Sequence, residues 1–344
     1  MPSDGPRVAV GGPWFEDFEV GRVYDDAPAL TLTSGHAAAH QALVGDRLRL
    51  PLDAGLCSEV TGSDRLLAHP NLVCDVAIGQ STGPTQRVRG NLFYRGLVLQ
   101  RPVFIGDTLR TQTEVVGLKQ NRQRAGAPAT GLVALRIRTV NQDGAPVLDF
   151  WRCPMIPLRD RDAQTGHADR FEGIPDELDP DRVRAAVPPA WRLDRYAARV
   201  PEAATPAPGT VLAIEGRDTV TGETELARLT LNIAAAHVDA GSSAHGRRLA
   251  YGGHTIAIAA AHAARALPGL VTIVAWHGCD HTGPVFGGDI LATELTVGAA
   301  RPAGPPGAEL VDLRAHVRAD RGGGAEPDDV LDWRFIGLVA RPEE

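Results

Sequence analysis

Two stretches decide the fold when set side by side: YRGLVLQRPVFIGDTLRTQTEV (residues 94–115) and WHGCDHTGPVFGGDILATELTV (276–297). Within them PVFIGDTL and PVFGGDIL differ at two of eight positions, and Pro102 and Pro284 stand 182 residues apart. Farther on, PVLDFWR (146–152) and DVLDWRF (329–335) share VLD at an offset of 183. Two matches in the same order at nearly the same spacing mark a duplicated chain. Each copy ends in segments that alternate apolar and polar residues around a glycine-bearing turn, the pattern of antiparallel strands. The shared PVF-x-GD-x-L reads as proline at a strand edge, a Gly-Asp turn and a new strand, which makes Asp107 and Asp289 turn residues.

One helical segment precedes each strand block, over 70–80 and 252–267. The second carries alanine at 257, 259, 260, 261, 263, 264 and 266. Small side chains all round let a helix backbone sit close inside a curved sheet. The fold class is therefore α+β: two antiparallel sheets, each wrapped around one central helix. The expected units are 12–158 and 209–341. The proline-rich, charged stretch 159–208 joins them as a linker, with a short helix near 179–187.

The totals bound the function classes. A chain of 344 residues, 43% hydrophobic and 22% charged, is long enough for two ordinary cores. A net charge of −7 gives no overall attraction to nucleic acid or an anionic membrane. Cys57, Cys74, Cys153 and Cys279 lie far apart without a CxxC pair, which predicts reduced thiols and no zinc site. No signal peptide is read at MPSDGPRVAVGGPW, and the best apolar run, around 256–267, is broken by His262 and Arg265. A cytoplasmic protein is expected. No GxGxxG or Walker motif appears, so neither a nucleotide redox cofactor nor NTP hydrolysis is expected.

The chemistry-bearing residues concentrate in LNIAAAHVDAGSSAHGRRLAYGGH (231–254): an amide at Asn232, an imidazole at His237 and the pair Gly252-Gly253 opening a helix. A neutral imidazole accepts a proton near neutral pH, whereas an amide orients water without taking its proton. Amides at a helix N-terminus suit a developing oxyanion, and glycine lets a ligand approach the backbone.

FEDFEVGRVYDD, PVF-x-GD-x-L and GRRLAYGG resemble the MaoC-like hydratase/dehydratase family, and VVGLKQNRQ, YGGH and VLDFWR are similar to the mesaconyl-CoA (2-methylfumaryl-CoA) hydratases within it. The resemblance implies a double hot dog fold. It also implies a hydro-lyase that interconverts enoyl-CoA and 3-hydroxyacyl-CoA, with the CoA thioester as substrate and no metal or organic cofactor. The family's Asp-x4-His falls on Asn232 and His237, with asparagine in place of aspartate. Its following glycine segment places Tyr251 where histidine is common and Gly252 at the glycine.

In the first copy Asp46 fits the aspartate, but Pro51 occupies the histidine position, and the repeat offset sets His69-Pro70 against Gly252-Gly253. Proline can be no base and removes an amide donor at a helix start, so the first copy is expected to keep the fold without catalysis. Arg247 and Arg248 are candidate contacts for CoA phosphates or solvated side chains. His254, His262, His277 and His281 are read as packing or helix-face residues. A dicarboxylic acyl group would call for an arginine or polar clamp in the acyl pocket, and the sequence alone does not single out the residue. Two other readings stay open: a hot dog thioesterase, and a non-catalytic acyl-thioester-binding protein. Homodimerisation also stays open.

Overall fold

The computed structural model describes residues 8–123, 126–200 and 205–341; the first seven residues of the segment read for a signal peptide lie outside them. The chain opens with two short strands, β1 (Val23–Tyr24) and β2 (Leu30–Thr31). Helices α1 (Ser34–Val44), α2 (Ala54–Thr61) and α3 (Pro70–Gln80) follow. Four long strands complete the first lobe: β3 (Gly90–Leu99), β4 (Thr108–Gln120), β5 (Thr130–Val140) and β6 (Pro146–Pro157). After α4 (Pro180–Ala185) and α5 (Leu193–Arg199) come β7 (Val211–Thr219), α6 (Glu223–Leu229) and α7 (Gly252–Ala266). The chain then runs through β8 (Leu270–His281), β9 (Ile290–Pro302), β10 (Ala308–Asp320) and β11 (Asp328–Ala340).

The pattern predicts central helices over 70–80 and 252–267, and α3 and α7 lie there. Every residue of α3 is buried, and α7 is buried from Gly253 to Ala263. The two sheets do not stay separate. β3 pairs antiparallel with β8, setting Tyr94 against Cys279 and Leu97 against Trp276, and the lobes merge into one eleven-stranded sheet. Its order is β1-β4-β5-β6-β3-β8-β11-β10-β9-β7, with β2 also paired to β4. One continuous core between the helices and the sheet contains Leu72, Val76, Phe150, Ile256, Trp276 and Trp333. The 159–208 stretch is more than a tether. Val183, Trp191 and Tyr196 pack with Leu56, Val271 and Leu338 in a second core, and the Tyr196 hydroxyl donates to the Leu270 carbonyl at 3.0 Å.

The repeated GD motif does the same work twice. Asp107 Oδ2 accepts the Phe104 N–H at 2.9 Å, and Asp289 Oδ2 accepts that of Phe286 at 3.0 Å. The preceding glycines, Gly106 and Gly288, have φ of +102° and +91°, a region that residues with a Cβ rarely enter. Both aspartates are turn residues. Isolated bridges repeat as well, Leu67 to Phe104 and Leu249 to Phe286. These fix the helix register and correct the sequence alignment by one residue. Pro70 stands opposite Gly252, and the N-caps are His69 and Tyr251.

All four cysteines are buried and free. Among the described residues no helix is long and apolar enough to cross a membrane.

Candidate active site

Asn232 and His237 leave α6 on a short loop whose shape depends on the other lobe. Among the described residues Leu231 is one of two non-glycine residues with positive φ (+61°), a strained turn that points the chain back toward α3. There Gly79 makes room: a Cβ at that position would lie 1.7 Å from the Thr230 carbonyl oxygen. The Ile233 N–H donates to Thr82 Oγ1 at 3.0 Å, and the Ala235 N–H to the Gln86 carbonyl at 2.9 Å. The loop is thus docked on the first lobe.

Its two polar side chains are held in defined states. His237 Nδ1 lies 2.8 Å from the Leu249 carbonyl. A carbonyl only accepts, so Nδ1 carries the proton and Nε2 keeps its lone pair. Burial pulls the His237 pKa below its ordinary 6.5, outweighing that hydrogen bond, and keeps the ring neutral at physiological pH. Asn232 Oδ1 accepts the Ala234 N–H at 3.0 Å, which fixes the amide orientation and turns Nδ2 away as a donor.

At the start of α7, Gly252 is the first helical residue, and its N–H has no intrahelical acceptor. Its missing side chain admits His281: a Cβ on Gly252 would meet His281 Nε2 at 2.5 Å. Among the described residues that Nε2 has no partner, and burial pushes the His281 pKa down to about 4, so it too is neutral. Tyr251 packs edge-on to His237, ring centroids 5.7 Å apart, and its hydroxyl donates to Asp75 on α3 at 3.1 Å.

Asn232, His237, Tyr251, Gly252 and His281 line one cavity of about 250 Å³ between the lobes. Thr82, Arg89, Tyr94 and Arg152 supply its opposite wall. Gly253 does not reach the lining. Its Cβ would sit 2.0 Å from Asp75 Oδ1, so it is a packing glycine where helix α7 meets α3. Arg247 and Arg248 also stand outside the wall. Arg248 pairs with Glu223 at 3.1 Å, and Arg247 stacks over the Phe286 ring, 4.4 Å from its centroid. His262 is bound between Thr293 and Asp218, and His277 lies beside Asp312. Of the site residues, His281, Arg89 and Arg152 carry no local sequence signal. Gly79 does, as a glycine inside a helix, where it costs about 1 kcal/mol unless close packing requires it.

In the first lobe Asp46 meets a histidine from outside the Asp-x4-His spacing that Pro51 breaks. His69, the N-cap of α3, brings Nε2 to 2.8 Å from Asp46 Oδ1, off the linear hydrogen-bond direction. Its Nδ1 accepts the Asn71 N–H, so Nε2 is the protonated nitrogen. Burial raises the Asp46 pKa, but His69 and the Leu48 N–H outweigh it and hold the carboxyl below its ordinary value. His40 stacks near His69 with centroids 5.0 Å apart, and its Nε2 is 3.8 Å from Asp75 Oδ2. All four side chains are buried, and none lines the cavity.

The mesaconyl-CoA hydratase family model matches residues 7–267. The chain belongs to the mesaconyl-CoA hydratase family. The mesaconyl-CoA hydratase of Cereibacter sphaeroides is 30% identical, the match covering 96% of this chain and 98% of the relative. The beta-methylmalyl-CoA dehydratase of Chloroflexus aurantiacus is 28% identical, covering 96% and 97%. Among solved structures, a Mycobacterium tuberculosis protein described as a double hot dog fold is 46% identical over 96% of this chain and 99% of its own, with a TM-score of 0.86. A putative MaoC domain dehydratase from Chloroflexus aurantiacus follows at 25% identity and a TM-score of 0.83, covering 96% and 98%. The fold of this family member is the double hot dog, and side chains from both lobes line one cavity.

Proposed function

We propose that this chain adds water reversibly across the α,β-double bond of an enoyl-CoA thioester, a short branched dicarboxylyl-CoA such as mesaconyl-CoA giving methylmalyl-CoA, with side chains and backbone amides alone carrying the chemistry. One observation carries the reading. A buried neutral imidazole, its Nε2 lone pair set by the Leu249 carbonyl, shares a cavity with the open N-terminus of a fifteen-residue helix.

In the hydration direction the water oxygen bonds to the β-carbon while His237 Nε2 takes its proton. The double-bond electron pair moves toward the thioester oxygen, where the Gly252 N–H and the positive end of α7 stabilise the enolate. The imidazolium then returns the proton to the α-carbon, and atoms and charge balance. Asn232 Nδ2 donates to the water oxygen and positions it without accepting its proton. Dehydration is the same path reversed. Asp46, sealed away from the cavity, has no part in it, and the first lobe acts as wall and support.

The test is incubation with a panel of enoyl-CoA and 3-hydroxyacyl-CoA thioesters, with products resolved by mass. Gain or loss of one water supports the proposal. Release of free CoA replaces it with thioester hydrolysis, and binding without turnover with a carrier role.

A further inference from the structure

Arg152 on β6 is 3% exposed, yet it forms part of the cavity wall. Its Nη2 donates to the Ser81 carbonyl at 2.7 Å and to Thr85 Oγ1 at 2.9 Å. Nε has no partner. Among the described residues Nη1 has no acceptor either, and no carboxylate lies within ion-pairing distance of the guanidinium. The groups that bear on its charge are Tyr94, Tyr251 and Cys153, all neutral at physiological pH. A guanidinium cannot shed its charge as a lysine can, so a buried one without a counter-charge destabilises the fold unless a ligand supplies the anion.

Part of the arrangement is structural. Ser81 caps the C-terminus of α3, where a cation complements the helix dipole. That accounts for Nη2 and leaves the other two nitrogens. The duplicated lobe shows that the fold itself needs no arginine here. Strand pairing sets Tyr94 against Arg152 in the first lobe and Trp276 against Phe335 in the second, so Phe335 occupies the equivalent place. Phe335 is fully buried and stacks on Trp333, centroids 3.9 Å apart. The charge appears only in the copy of this position that faces the cavity.

We propose that Arg152 is the specificity residue of this site: it receives a carboxylate carried on the acyl chain and selects CoA thioesters of short dicarboxylic enoyl acids. The assignment rests on reading the cavity as the acyl site. The phosphates of CoA offer the same anionic chemistry, and the test separates the two sources because every acyl-CoA carries them.

The wild-type protein and its Arg152→Met and Arg152→Lys variants are assayed with mesaconyl-CoA and with the analogue whose distal carboxylate is replaced by methyl. Circular dichroism monitors folding. The wild type should favour the dicarboxylic thioester. Arg152→Met should lower kcat/KM for it by roughly 10²-fold or more, the scale for truncating one partner of a buried charge pair, and leave the monocarboxylic analogue unchanged or improved. Arg152→Lys should restore part of the preference. Equal turnover of both thioesters by the wild type overturns the proposal without needing a folded variant. So does an equal loss on both in Arg152→Met, which marks a structural or phosphate-binding role. Loss of the preference in Arg89→Gln but not in Arg152→Met overturns it in favour of the other arginine on the wall. If the wild type hydrates neither thioester, the hydratase reading fails by itself. Calorimetric titration of the two thioesters then tests Arg152 alone, with dicarboxylic selectivity lost in Arg152→Met supporting it and equal binding sinking it.

Discussion

The two central helices begin at equivalent places and end up with opposite environments. α7 starts with Gly252, which keeps an amide N–H, has no side chain and opens on a cavity lined by His237 and His281. α3 starts with Pro70, which has no N–H, behind a buried His69–Asp46 contact that stands outside that cavity. A carboxylate and an imidazole side by side do not make a site. They need an open approach and a donor for the charge that the reaction creates. The second lobe has both and gave up the carboxylate. The first has the carboxylate and forms the scaffold on which the Asn232–His237 loop rests.

The largest break in this contrast should come from His237→Ala, which should lower kcat by roughly 10²–10⁴ with folding intact by circular dichroism. The same histidine sets the pH profile. Burial lowers its pKa, so the neutral base persists somewhat below 6.5. Hydration kcat/KM should stay level through neutral pH and fall only as the pH drops further, through the lowered value. A limb at or above pH 7 would point to another base.

Gly252→Pro carries the first lobe's helix start into the second. Gly252→Ala introduces the contact with His281 but keeps the N–H, so the difference between the two variants isolates the donor. An additional loss in kcat of about 10²–10³ for proline is expected. Equal losses would locate the oxyanion elsewhere. Asn232→Ala should cost about tenfold in kcat, the worth of one hydrogen bond to water, because the base remains. A loss matching that of His237→Ala would make the amide an equal partner.

Asp46→Ala should have the smallest effect on turnover, with kcat nearly unchanged. It should still destabilise the protein by about 3 kcal/mol, read as a lower Tm, because His69 and the Leu48 N–H lose a buried acceptor. A dead but folded Asp46→Ala would place the chemistry in the first lobe instead of the second.

The sequence by itself determined what repeats locally. The PVF-x-GD-x-L turns, the strand alternation and the alanine-rich helix follow from spacing and backbone preference, which act between near neighbours. Asn232, His237, Tyr251 and Gly252 were legible for the same reason, since they share one short stretch. Only the tertiary structure decided what those residues face. Asp46 and His69 are separated by all of α2, and Arg152 and His281 come from strands of different lobes. Pairing of β3 with β8 turns two sheets into one and sets the first lobe's wall opposite His237. Charge and burial at such positions depend on partners from other elements, Ser81 lying 71 residues from Arg152, and no local pattern encodes them.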